Sequence, residues 1–267
     1  MKNILLLIHE DSGQEARLQA ALDVTRAVNG HLHCLDVSVV VPMVGANIGA
    51  AGGAMLIELE KENEADNRAR TYPRLEKEDV SWSWADTTDY IEPALEAASG
   101  LADLIVVNRA LHAFPLPDMR ALAAGLVVKS GKPILAVPET ATGFKAGGNA
   151  LVAWDGSREA SSALSAAVPL LQLAGSVTIV EIEDGSVTTG AEDAASYLSR
   201  HGIHATIDRE AANGSDAGSV LLAKANSECF DYVVMGGFSH SRLFETVFGG
   251  VSRQLLTYSQ IPLLMAH

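Results

Sequence analysis

The chain has 267 residues, of which 48% are hydrophobic, and a formal net charge of −14. This length allows one large domain or two small ones, and the hydrophobic fraction suffices for a buried core, which excludes a disordered chain. The negative charge argues against nucleic acid or an anionic membrane as a partner, because both attract basic surfaces. It is compatible with a small anionic ligand, which backbone dipoles can bind locally.

The N-terminal sequence and the cysteines both favour a reducing compartment. The N-terminal sequence has only five consecutive apolar residues, at 4–8, and no run approaches the ~20 residues of a membrane span. The two cysteines, Cys34 and Cys229, both lie in apolar runs, so two buried thiols are favoured over a disulfide. We therefore expect a cytoplasmic protein with no membrane partner.

Short apolar runs alternate along the chain with segments of helical spacing. The first part predicts strands at 3–9, 31–41, 80–87, 103–108 and 133–138, and helices at 13–28, 54–76, 91–100 and near 121–129. The second part predicts strands at 150–155, 176–182, 203–210, 231–237 and 261–267, and helices at 157–174, 191–202, 215–228 and 251–259. Ser157 and either Ser215 or Asp216 are the predicted N-caps, and Gly202 the predicted end of a helix.

The two parts repeat each other. Asp11 aligns with Asp155, Asp103 with Asp231, His112 with His240, and Pro133 with Pro262. The Gly- and Thr-rich segment 140–149 is typical of a linker. The pattern predicts an α/β protein with two domains, 1–141 and 148–267, each a doubly wound, five-stranded parallel sheet of Rossmann-like type. The segment 43–53 has four glycines and no equivalent in the second part, and we expect it to be a mobile loop.

Two stretches of the second part carry a family resemblance. One is the strand, Asp155-Gly156-Ser157 and the helix that follows, and the other runs from Val233 to His267. Both resemble the universal stress protein domain, so the whole chain resembles a tandem universal stress protein. The resemblance implies an adenine nucleotide alpha hydrolase-like fold. It also implies that ATP or another adenine nucleotide binds in the second domain, with or without Mg²⁺.

Nucleotide-binding members of that family have Gly, two residues, Gly, nine residues, Gly and then Ser or Thr. Gly236 and Gly249 match the first and third glycines, whereas Ser239 replaces the second and Gly250 replaces the hydroxyl residue. Ser252, one helical step further, could supply that hydroxyl. These two departures leave open a second hypothesis, a nucleotide-free scaffold that acts through protein partners or another small ligand.

The resemblance also implies a role for each site residue. Asp155 would hydrogen-bond the adenine or ribose, and Ala153, Ile182 and Met235 would surround the base. The candidate phosphate contacts are Gly236, Gly237, Ser239, His240, Arg242, Gly249 and the amides of Gly250, Val251 and Ser252, and Gly156 and Ser157 form the turn beside Asp155. The alternatives are a turn or cap role for Asp155, a strand-end turn for Gly236-Gly237, and ordinary surface roles for His240 and Arg242.

The first part lacks the glycine signature. Asn108 and Arg109 stand where the second part has Gly236 and Gly237, and His9-Glu10 precede Asp11. We therefore expect the first domain to be a structural partner with a degenerate site. The strands at 133–138 and 261–267 would lie near the seam of an intramolecular pseudo-dimer, and a homodimer of two chains is left open.

Other motifs carry less chemistry. No GxSxG elbow is present, and neither first strand is followed by the SGGxDS loop of adenylating enzymes. We therefore assign no catalytic residues, and we expect at most slow ATP hydrolysis. His31 and His33 share one face of a strand but have no second pair, so no metal site is assigned. Trp82 and Trp84 predict a packed face, and the acidic run 60–68 a solvated helix face.

Overall fold

The fold is known from a computed structural model that describes residues 1–40, 50–109, 119–212, 214–227, 229–237 and 250–267. In the first half the elements are β1 (Asn3–Ile8), α1 (Gln14–Ala27), β2 (His31–Val39), α2 (Ala50–Leu75), β3 (Ser81–Asp89), α3 (Ile91–Ala98), β4 (Leu104–Asn108), α4 (Met119–Ser130) and β5 (Ile134–Val137). In the second they are β6 (Asn149–Trp154), α5 (Arg158–Leu171), β7 (Ser176–Glu183), α6 (Ala191–Arg200), β8 (Ala205–Ala211), α7 (Ala217–Ala225), β9 (Tyr232–Gly236), α8 (Gly250–Tyr258) and β10 (Leu263–Ala266). The predicted α/β class is confirmed.

One sheet contains these ten strands of the described chain. Its order is β3-β2-β1-β4-β5-β10-β9-β6-β7-β8. Every pair within a half is parallel, whereas β5 and β10 pair antiparallel, with Leu135 opposite Leu264. The two strands that meet are those that the sequence places near the seam.

The strand order reverses between β1 and β4 in one half and between β6 and β9 in the other. Helices leave the sheet on opposite sides at such a point, which opens a crevice at the carboxyl ends of the strands. Each half therefore has one natural place for a ligand.

Helix boundaries follow local capping chemistry. Ser157 precedes α5 and its Oγ accepts a hydrogen bond from the amide of Ala160 at 3.1 Å. Asp216 precedes α7 and accepts from the amide of Ser219 at 3.0 Å, which decides between the two predicted caps. Gly202, just after α6, has φ +76°, a conformation that glycine adopts without strain.

The core has one layer on each face of the sheet, because neighbouring residues of a strand point to opposite faces. Leu6 and Val234 lie in one layer, and Leu5 and Val233 in the other. Both layers include residues of both halves, so the apolar core is continuous across the β5–β10 seam.

Two aspartates at equivalent positions hold the first strand of each half. Asp103 accepts hydrogen bonds from the amides of Lys2 and Asn3, at 2.6 and 3.0 Å. Asp231 accepts from the amide of Asn149 at 2.8 Å. Their shared role explains why the two halves carry the same aspartate before the fourth strand.

Three expectations need correction. Cys34 is buried, but Cys229 is exposed, because its run lies in the connection before β9 and the buried strand starts only at Tyr232. Residues 50–53 of the expected mobile loop belong to α2, and 43–49 lie outside the described residues. The acidic run 60–68 is not wholly solvated, since Glu64 and Asn67 are buried against the sheet.

The expected packed face on β3 is confirmed. Tyr72 of α2 lies over both tryptophans, with ring centroids 4.8 Å from Trp82 and 5.9 Å from Trp84. His31 and His33 hydrogen-bond to serines of β3, and both share Ser83. These histidines therefore serve the β2–β3 pair.

Candidate functional site

A cavity of about 310 Å³ lies at the crevice of the second half. It is bounded by the carboxyl ends of β6, β7 and β9, by α5 and α7, and by the first turn of α8. Its lining residues are Ala153, Trp154, Asp155, Ser157, Glu159, Ala160, Val180, Ile182, Asp184, Ser186, Ala217, Leu221, Met235, Gly236, Gly250, Val251 and Ser252. The volume is at the lower end of the ~300–1,000 Å³ found for small-molecule sites.

The turn after β6 presents Asp155 to this cavity. Asp155 Oδ1 accepts a hydrogen bond from the amide of Ser157 at 2.9 Å, and the carbonyl of Asp155 accepts from the amide of Thr188 at 2.9 Å. Gly156 between them has φ +75°, and a Cβ there would lie 2.2 Å from the amide nitrogen of Thr189. Asp155 thus has the turn role and is also one of the residues that line the cavity.

Gly236 ends β9 where the strand meets α5. A Cβ at this position would lie 2.5 Å from the backbone nitrogen of Ala160, so only glycine allows this close approach. Gly237 turns the other way, donating its amide to the carbonyl of Ala266 and accepting from Nδ1 of His267. Gly236 therefore lines the cavity, whereas Gly237 belongs to the strand-end structure near the seam.

The first turn of α8 closes one side of the cavity. Gly250, Val251 and Ser252 all line it, and Ser252 is buried. Free amide groups and the helix dipole make a helix N-terminus favourable for an anion. This turn is therefore a candidate contact for a phosphate.

The charged residues of the described lining are all acidic. Asp155, Glu159 and Asp184 line the cavity, and its described residues include no Lys, Arg or His. Hydrogen bonds from the Ser186 hydroxyl and amide lower the pKa of Asp184, so this carboxylate stays ionised. The cavity thus combines the first turn of α8, which favours an anion, with three acidic residues, which would repel further negative charge in the same ligand.

Nine of the fifteen residues assigned from the sequence line the cavity: Ala153, Asp155, Ser157, Ile182, Met235, Gly236, Gly250, Val251 and Ser252. Gly156 and Gly237 hold adjacent backbone instead, and Ser239, His240, Arg242 and Gly249 lie outside the described residues.

Sequence reasoning missed several lining residues. Val180 could have been found, because it lies two residues before Ile182 on β7 and so shares its face. Asp184 and Ser186 follow the end of β7, at the edge where the carboxyl ends of parallel strands meet. Glu159 follows the Ser157 cap by two residues, but nothing in its spacing signals a cavity.

In the first half, a buried arginine lies beside the corresponding turn. Arg17 is 0% exposed, and its guanidinium donates to the carbonyls of Leu7 and His9, to Asp11 and to the Asn108 side chain. Its Nη2 also forms an ion pair with Oδ2 of Asp11 at 2.7 Å.

The side chain of Asn108 leaves no room for a side chain at Gly13, the residue before α1. It occupies the position equivalent to Gly236, and a Cβ at Gly13 would lie 1.6 Å from its Nδ2. Protein side chains therefore occupy the region around Asp11 that corresponds to the surroundings of Asp155.

Strand register adds a difference that the sequence alignment hides. Ile4 pairs with Leu104, and Ala150 pairs with Tyr232. Counting from these pairs, the residue after β1 that corresponds to Asp155 is His9. The first half therefore has two more residues between its first strand and first helix, although Asp11 keeps the turn hydrogen bond, from the amide of Gly13 at 2.7 Å.

His9 lies in a cluster of acidic side chains. Its Nδ1 is 2.7 Å from Oε1 of Glu64 and 3.6 Å from Oε1 of Glu60, both on α2. Burial lowers the pKa of His9, but the two glutamates raise it on balance. Burial and the carboxylate of Glu64 raise the pKa of Asp36, on β2, to about 8.

The chain is similar to known proteins in its structure. No protein-family profile and no curated protein matches the chain. A universal stress protein from Archaeoglobus fulgidus matches over 99% of this chain and 97% of its own, with a TM-score of 0.75 and 16% identity. The chain has the universal stress protein fold.

Two structures from Pseudomonas aeruginosa agree with this assignment of the fold. A putative universal stress protein covers 100% of this chain and 93% of its own at 18% identity, with a TM-score of 0.56. A protein of unknown function covers 100% and 92% at 17% identity, with a TM-score of 0.55. Across the part of the chain that the structure describes, no helix has the length and apolar character needed to span a membrane.

Proposed function

We propose that the second half of this universal stress protein fold binds one adenine nucleotide. The observation that carries the proposal is the cavity at the β6–β9 crevice, whose lining includes nine residues that the sequence assigns to a nucleotide site. In this proposal Ala153, Ile182 and Met235 contact the base, and the first turn of α8 contacts a phosphate. The protein acts as a cytoplasmic nucleotide-binding protein of the stress response.

The acidic lining shapes the proposal further. Asp155, Glu159 and Asp184 would repel a free triphosphate, so a triphosphate would bind with Mg²⁺ or direct its terminal phosphates away from them. We propose binding rather than efficient hydrolysis, because the chain has neither a GxSxG elbow nor the SGGxDS loop of adenylating enzymes.

The test compares two variants of one helix. Ala217→Leu on α7 places a large side chain in the cavity, whereas Ala223→Leu is on the same helix but outside the lining. A ligand at 100 times its Kd stabilises a protein by about 2.7 kcal/mol. At about 2–4 °C per kcal/mol, ATP with Mg²⁺ should raise the Tm of the wild type and of Ala223→Leu by roughly 5–10 °C.

Ala217→Leu should remain folded and lose this shift. Equal shifts in both variants would place the nucleotide elsewhere. No shift with ATP, ADP, AMP or adenosine in the wild type would refute nucleotide binding.

A second function is a scaffold without nucleotide. The three carboxylates of the lining favour it, because they oppose the charge of a phosphate. Under this alternative the wild-type Tm is unchanged by any adenine nucleotide, and the cavity takes a neutral or cationic small molecule.

A further inference from the structure

The first half holds a buried group of oxygen and nitrogen ligands at the carboxyl end of β1. His9 Nδ1 and one carboxylate oxygen each of Glu60 and Glu64 all lie within 4.8 Å of one another. His9 and Glu64 are buried, and the Glu60 side chain is 20% exposed, which leaves a path from solvent. This group lies outside the nucleotide cavity and in the other half of the chain.

A third carboxylate, that of Asp36, lies beside this group. Asp36 is 4% exposed, and its carboxyl group contacts that of Glu64. Its Oδ1 has no hydrogen-bond partner anywhere in the described part of the chain. A buried carboxylate oxygen without a partner loses its hydration without compensation. A cation bound at Glu64 would lie close to this carboxylate and offset its buried charge.

The supporting hydrogen bonds are those of a built site. Glu64 accepts from the amide of Glu10 at 2.9 Å and from Asn67 Nδ2 at 3.0 Å. Asn67 forms a paired amide contact with Gln14, at 2.6 and 2.8 Å, and Gln14 in turn accepts from the amide of His9. Outer contacts of this kind fix the orientation of metal ligands. Here they link the histidine and the glutamate from both sides.

The spacing is close to what a metal needs. Ligand atoms about 2.1 Å from a first-row metal lie roughly 3.0–3.4 Å apart. The His9–Glu60 separation of 3.6 Å is near this range, and the His9–Glu64 separation of 2.7 Å must widen by about half an ångström.

We propose that His9, Glu60 and Glu64, with the carboxylate of Asp36 beside them, bind a divalent first-row transition-metal ion, with Mn²⁺ as the best match to an imidazole among carboxylates. Carboxylate-rich sets suit Mn²⁺, and an imidazole shifts the preference away from Mg²⁺ and Ca²⁺. The site would be structural or regulatory for the first half, where Arg17 and Asn108 occupy the region beside the equivalent turn.

The experiment measures free Mn²⁺ by electron paramagnetic resonance while MnCl₂ is added to the full chain, previously stripped with EDTA and free of nucleotide. One Mn²⁺ per wild-type chain is expected. Glu60→Gln should weaken binding by at least about tenfold, as should His9→Gln. Glu62→Gln is the control, because Glu62 is exposed on the same helix.

Glu60→Gln is the decisive variant, because the structural contact of Glu60 with the fold is weak: Oε1 accepts from the amide of Val39 at 3.4 Å. Circular dichroism confirms that each variant is folded. Failure of the wild type to bind Mn²⁺ at millimolar concentration would overturn the proposal, as would binding that Glu60→Gln and His9→Gln leave unchanged. Ala217→Leu should bind Mn²⁺ normally, which separates this result from the nucleotide proposal.

Discussion

Replacing Arg17 with methionine should destabilise the protein more than any exposed substitution. The side chain is 0% exposed and donates to two backbone carbonyls, to Asp11 and to Asn108. Methionine keeps most of the volume but leaves the buried carboxylate of Asp11 without its cation. Removing one member of a buried ion pair costs about 3–5 kcal/mol, and we expect Arg17→Met to fall in that range.

Adding Asp11→Asn to Arg17→Met separates the effect of charge from that of packing. In the double variant the buried negative charge is gone, and the remaining loss comes from unpaired carbonyls, each worth about 1–3 kcal/mol. We therefore expect Asp11→Asn to recover part of the stability that Arg17→Met loses. Urea unfolding followed by circular dichroism measures all three variants against Ser161→Ala, an exposed serine at the equivalent position of α5.

Two results would refute this account of the first half. One is an Arg17→Met protein whose free energy of unfolding lies within 1 kcal/mol of the wild-type value, because breaking a buried ion pair should cost at least ~3 kcal/mol. The other is strict additivity of the two substitutions, which would show that Arg17 and Asp11 do not depend on each other in the folded state.

Three more predictions follow from single positions. Gly156→Ala should cost clearly more free energy of unfolding than Gly202→Ala: φ is +75° and +76°, but an added Cβ lies 2.2 Å from a backbone nitrogen at Gly156 and in open space at Gly202. Thermal melts of both variants check this, and equal losses would contradict it. Burial raises the pKa of Asp103, but two backbone amides lower it on balance below 3.8, so its stabilisation is complete above that pH and lost as the pH falls through the folded value. Asp103→Asn should therefore flatten the fall in stability as the pH drops below 3.8 in acid titrations, and an unchanged slope would count against the contact. A thiol reagent should modify exposed Cys229 quickly and Cys34, whose pKa burial raises to about 12, only on unfolding; two fast thiols would show that β2 is not packed as described.

The fold was largely predictable because its signals are local. Continuous apolar strands such as Leu104–Asn108, helical spacing and caps such as Ser157 each identify an element without reference to the rest of the chain. The alignment of the two parts of the sequence then predicted that the fold has two similar halves. The antiparallel pairing of Leu135 with Leu264 needed the structure, since sequence patterns do not specify which edge strands meet.

The candidate sites were less predictable because they depend on distant residues. Asp155 and Met235 were found through a motif, whereas Asp184 joins them only because β7 lies beside β6. His9 and Glu64 are 55 positions apart, and the acidic run that contains Glu64 is typical of a solvated helix. Glu64 is nevertheless buried against the sheet, and the metal proposal depends on this burial. The charge pattern of the sequence does not predict it.

The central claim is that the second half binds one adenine nucleotide. The most direct measurement is to purify the protein without added nucleotide, denature it, and quantify the released small molecules by mass spectrometry. The proposal predicts one equivalent of ATP, ADP or AMP per wild-type chain and none from Ala217→Leu. Protein that releases no nucleotide, and whose Tm does not rise with millimolar ATP and Mg²⁺, would contradict it, and two equivalents per chain would contradict the degenerate first site.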